Sequence, residues 1–280
     1  ERDWNCNKTI LCGDIGVPGE PSDNTYHVVI TQNVDSTTVI DGFCIRDGYA
    51  DDEFDNEGSE SGGGWLNFGY NGGYSNPTII NCAIIENYSS LYGGGMANIG
   101  NEDGNASPTL INCILAGNET EERGGGIYND GDDDGNASPV LINCILSGNH
   151  QSDENEDDYG GGAVYNDADD GTSSPVFINC VISGNRAYQG GAIFNFPDDD
   201  GICNPVITNC ILWNNDAVAG SVFYNHNGGI PRVYYSILQN NNFNDITAGD
   251  PITDENNNKF EGSGVDPNFI IAPEAFDAPI

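Results

Sequence analysis

The stretch from Pro108 to Ala137, PTLINCILAGNETEERGGGIYNDGDDDGNA, returns with small edits both before and after itself. Copies aligned on proline begin at Pro77, Pro108, Pro139, Pro175, Pro205 and Pro231, spaced 31, 31, 36, 30 and 26 residues apart. A repeat of this size that keeps its fixed positions while its length changes is a solenoid signature, with insertions placed as loops on a constant frame.

Three asparagine columns mark that frame. The first holds Asn81, Asn112, Asn143, Asn179 and Asn209, each followed by a cysteine: Cys82, Cys113, Cys144, Cys180 and Cys210. The second holds Asn87, Asn118, Asn149 and Asn185, and the third Asn67, Asn98, Asn129, Asn166, Asn195 and Asn225. Between them lie apolar runs of Ile, Val and Leu too short for helices, which read as strands. Asparagine tolerates the left-handed backbone of a sharp corner, and its amide can bond to the asparagine one coil away. About thirty residues with three such corners predict an all-β, right-handed parallel β-helix with about three short strands per coil and about 4.8 Å between coils.

One domain is expected over residues 1–280. Residues 1–36 form an N-terminal lead-in or cap, 37–231 the repeated coils, and 232–280 a final coil and tail. Ile79, Leu110, Leu141, Phe177 and Ile207 are expected to face inward, as are the cysteine column and the position two residues beyond it. Periodicity alone does not decide whether Ile127 or Tyr128 is inside.

The chain carries 44 acidic and 7 basic side chains, a formal charge of −37. That field repels nucleic acid and anionic membrane surfaces, and no apolar run is long enough to span a bilayer. It also opposes compaction unless cations screen it. The acidic loops NEDG, DGDDDG, DADDG and PDDDG recur at one point of the repeat. Asp103, Asp134, Asp170 and Asp200 are expected to stack along one edge, with Asp130, Asp132 and Asp198 beside them. Stacked carboxylates repel unless a hard cation bridges them, so these residues are candidate Ca²⁺ ligands. The alternative is a solvated, charge-rich edge. Asp130, Asp132 and Asp134 imitate the first half of an EF-hand loop, but Leu141 stands where its bidentate glutamate would be.

The cysteine column is expected to be buried free thiols, because parallel in-register side chains give poor disulfide torsions. Cys6 and Cys12 are the better candidate disulfide. Tyr128, Tyr165, Phe194 and Tyr224 form an aromatic column, either a platform for sugars or partners if outward or a core stack if inward.

At NPTIINC, NCILAGN, GGGIYN and the opening pattern GDIG, YHVV and TTVIDGF, the chain resembles right-handed parallel β-helix repeat proteins of secreted bacterial surface type, similar to adhesin-like polymorphic outer-membrane passengers. VDPNF at 265–269 resembles the segment that closes such helices. The resemblance implies an extracellular or cell-surface protein. The wider superfamily also holds pectate lyases and polygalacturonases, but the chain lacks the GHG and RIK segments of the latter. The expectation is a non-enzymatic structural or adhesive solenoid, partnered by other surface subunits, by copies of itself or by glycans. A polysaccharide-degrading enzyme and a non-catalytic glycan-binding module are the alternatives.

Overall fold

The computed structural model describes residues 8–51, 59–153, 159–226 and 228–239, together with the backbone of three later strands at 247–249, 253–254 and 259–261. The expected VDPNF closing segment and the C-terminal tail lie outside the described residues. The chain is a right-handed parallel β-helix whose strands lie in four parallel sheets.

The central copy shows the path of one coil. Thr109–Ile111 belongs to sheet I, Ile114–Ala116 to sheet II, Glu119–Thr120 to sheet III and Ile127–Asp130 to sheet IV. Among the described residues sheets I and IV have eight strands each and sheet II nine, which gives the three long walls of the coil. Sheet III has six strands and inserts a short fourth wall between sheets II and IV. Pairing is in register throughout, so Leu110 lies between Ile79 and Leu141, and Leu115 between Ile84 and Leu146.

The corners follow from backbone conformation. Asn81, Asn112, Asn143, Asn179 and Asn209 all have φ of 53 to 55°, the left-handed region that asparagine tolerates better than most residues. Each corner turns the next cysteine inward. Cys82, Cys113, Cys144, Cys180 and Cys210 are buried free thiols in the main core, beside Ile79, Leu110, Leu141, Phe177 and Ile207. The GGG turn permits close approach: a Cβ on Gly126 would meet the Ala163 carbonyl oxygen at 2.5 Å.

Two asparagine columns run through the interior as amide chains. Asn67, Asn98, Asn129, Asn166 and Asn195 each donate through Nδ2 to the Oδ1 of the next coil's asparagine, at 2.7 to 3.0 Å. The second column does the same from Asn87 to Asn215, where Gln239 ends the series by accepting from the Asn215 backbone N–H and donating to its carbonyl. These amides are buried, and a buried polar group must be paired. The outer column bonds the opposite way: Asn112, Asn143 and Asn179 donate to the asparagine of the preceding coil, each at 3.2 Å.

Cys12 is an exposed free thiol directed at Asp47 Oδ2, 3.1 Å away. Cys6, the other half of the candidate disulfide, lies outside the described residues.

Candidate functional site

The most unusual chemistry lies on the outer face of sheet IV. Along Ile127–Asp130, Ile127 and Asn129 point into the main core, while Tyr128 and Asp130 point away from it. Register then builds two outer columns. One runs Ala97, Tyr128, Tyr165, Phe194, Tyr224 and the other Phe68, Ile99, Asp130, Asp167, Phe196.

Of the two arrangements open for the first column, platform or core stack, its packing has the form of a stack. Tyr128, Tyr165 and Phe194 are buried in a second apolar cluster, with Tyr92, Ile99, Phe196 and Tyr224 packed against it. Stacking supplies the reason. Tyr165 lies 4.6 Å from Phe194, and Phe194 lies 4.7 Å from Tyr224, so each ring covers the next. Ala97 offers no ring, and Tyr92 from the preceding turn stacks on Tyr128 at 4.6 Å instead.

From Phe68 to Phe196 the second column is apolar except at two consecutive coils. There it carries Asp130 and Asp167, which are register partners and only 8% and 4% exposed. A single guanidinium answers them: Arg123 Nη1 lies 2.9 Å from Asp167 Oδ2. Arg123 is held between Tyr92 and Tyr165, 5.6 and 5.4 Å from their ring centroids. Burial raises the Tyr128 pKa well above its ordinary value, so the phenol stays protonated and donates to Asp167 Oδ2 at 2.8 Å. Asp130 accepts from the Asp132 backbone N–H at 3.1 Å and from Asn101 Nδ2 at 3.2 Å. Asp132 accepts from the Asp169 backbone N–H at 2.7 Å.

Three carboxyls around one guanidinium are not neutralised. Burial, reinforced by Asp167, pushes Asp130 up to about 7, and burial with Asp167 and Asp130 pushes Asp132 up to about 8. Burial raises Asp167 too, against the pull of Arg123. The cluster can therefore hold and release protons near neutral pH, the behaviour that makes a perturbed group a functional candidate.

The expected calcium ligands divide into two places. Asp130 and Asp132 belong to this shielded cluster. Asp103, Asp134, Asp170, Asp198 and Asp200 are exposed on the loop edge. Counting back from the bridges that join Asn105, Asn136, Thr172 and Ile202 sets Asp103, Asp134, Asp170 and Asp200 level, and the Asp200 N–H lies 3.4 Å from Asp170 Oδ1. Counting from the strand side, Asp169 pairs with Asp198 and brings Asp170 level with Asp199, so the loop after Asp198 carries one extra residue. Among the described residues, the three carboxylates whose oxygens converge within 4.8 Å are Asp169, Asp170 and Asp199. Only Asp170 of these is among the expected ligands.

Sequence reasoning also missed Arg123 and Asp167. Asp167 holds the same repeat position as Asp130 and was visible there. Arg123 was signalled more faintly, as a basic residue opening a GGG turn at the position that holds Tyr92 one coil earlier and Gly160 one coil later. No protein-family model, no curated protein and no solved structure matches this chain. The repeat and the geometry are thus the whole basis for reading its function.

Proposed function

We propose that this chain is a non-enzymatic, extracellular structural or adhesive component, a rigid β-solenoid that joins other copies or neighbouring surface-protein domains end to end. The observation that carries this reading is the set of uniform, in-register ladders, which make a stiff body whose length scales with coil number. Ile30 and Val39, on the first described strands of sheets IV and I, are 58% and 55% exposed and offer apolar contact to a partner.

Calcium belongs to this proposal as a stabiliser of the loop edge, at Asp169, Asp170 and Asp199. Irregular oxygen shells suit Ca²⁺, and three carboxylates are the beginning of one. Electron microscopy and light scattering test the assembly. End-to-end particles are expected at high protein concentration, and Ile30→Lys should dissociate them. A clean monomer in calcium at high concentration overturns the proposal.

A further inference from the structure

Most columns of the solenoid repeat one kind of side chain, as stacking between identical neighbours favours. The outward column of sheet III does not. It reads Tyr49, Tyr88, Glu119, His150, Arg186 and Asp216 over successive coils. Its later members pair Glu119 with His150 and Arg186 with Asp216, whereas Tyr49 and Tyr88 stack at its beginning.

At its N-terminal end the face opens into a depression of about 370 Å³. That is the scale of a small-ligand site. One wall is the stacked pair Tyr49 and Tyr88, with ring centroids 4.4 Å apart and planes within 18°. Asp51, Glu60, Glu121 and Glu122 line the rest with Ser90 and Leu91, and among the described residues no basic side chain does. The Tyr88 hydroxyl donates to Glu121 Oε1, which fixes that carboxylate beside the ring.

Spacing selects among cations. The lining residues come from three successive coils, a span of about 10 Å at the usual strand separation. Among the described residues the one three-carboxylate convergence is at Asp169, Asp170 and Asp199, not in this groove. A point cation is therefore poorly matched, whereas a chain bearing several separated charges meets the carboxylates in turn. Tyrosine faces attract ammonium groups and also cover alkyl chain.

We infer that this groove binds a short linear aliphatic polyamine, with its alkyl segments along Tyr49 and Tyr88 and its ammonium groups at Glu121 and the carboxylates across the groove. Spermidine is the probe, titrated by calorimetry into the full chain at about 0.15 M salt to screen diffuse attraction. Saturable binding at one site is expected. Tyr49→Ala and the near-isosteric Glu121→Gln should each weaken it at least tenfold, while Asp199→Asn on the remote edge leaves it unchanged. Glu121→Gln retains an acceptor for Tyr88, so an intact fold is checked by its unchanged melting curve. Absence of saturable binding, or equal weakening by Asp199→Asn and Glu121→Gln, overturns the inference, because either result marks diffuse attraction to a chain of charge −37.

Discussion

Replacing Asp130 by asparagine should stabilise the protein in alkaline solution and do almost nothing in acid. Asp130 is buried opposite Asp167, and its pKa rises from an ordinary 3.8 to about 7 when the chain folds. Below pH 4 the group is protonated in both the folded and unfolded chain, so it contributes no difference. Between about 4 and 7 the unfolded chain has lost the proton and the folded chain keeps it, so stability falls as pH rises. Above about 7 both are ionised and the folded state bears the full cost of a buried charge. At about 1.4 kcal/mol per pH unit, that cost is on the order of 4 kcal/mol. Asparagine cannot ionise, and its one amide oxygen can still accept from the Asp132 N–H, which Asp130 serves through Oδ1, while the Asn101 amide now bonded to Oδ2 must turn its own oxygen toward the new Nδ2. Urea unfolding of variant and wild type at pH 4.5, 6, 7 and 8.5 measures the difference, and comparing the pair cancels the general repulsion of the acidic chain. The gain should grow through pH 5 to 7 and then level off. A difference independent of pH, or a wild type that strengthens from pH 5 to 8.5 relative to the variant, would refute the account.

Arg123→Met removes the guanidinium that answers the same carboxylates and should cost about 3 to 5 kcal/mol at pH 8 and less at pH 5, read by urea midpoints. Asn129→Ala interrupts a buried amide chain on both sides and should cost about 2 kcal/mol or more, whereas Asn143→Ala at an exposed corner should cost less. Millimolar calcium should raise the melting temperature, and the double substitution Asp170→Asn with Asp199→Asn should remove that response. Unchanged melting of the wild type in calcium would dispose of the edge site. A thiol reagent should label Cys12 in the native protein, while Cys113, Cys144 and Cys180 react only after denaturation.

Much of this fold was legible because stacking imposes identity. The INC and GGGIYN segments repeat since each coil must place an amide, a thiol or a bare backbone directly over the same group below. The short fourth sheet was missed for the converse reason. Its strands at Tyr88–Ser89, Glu119–Thr120 and His150–Gln151 have two residues each, and their outward side chains share no chemistry. The aromatic column was visible, but its burial was not, because alternation predicts which face a residue takes and not whether that face is covered. The acidic loops were visible too. Where one extra residue bulges out was not, because the run DDDG leaves that choice to three-dimensional pairing.

The direction of the two buried amide chains has a consequence for how such bodies can join. From Asn67 to Asn195 and from Asn87 to Asn185 each amide-to-amide bond runs forward, toward the later coils, so these small dipoles add along the axis and reinforce one another. At the early end the series terminates on Thr31, whose hydroxyl donates to Asn67 Oδ1 and accepts from the Trp65 indole. The two ends of the rod are therefore electrically unlike, much as the two ends of a magnet are. A two-fold junction would set like poles against each other and run the strands antiparallel. A head-to-tail junction continues both the strands and the amide polarity, and such a contact repeats without closing. Any fibre built on this coil would have a growing end chemically distinct from its base.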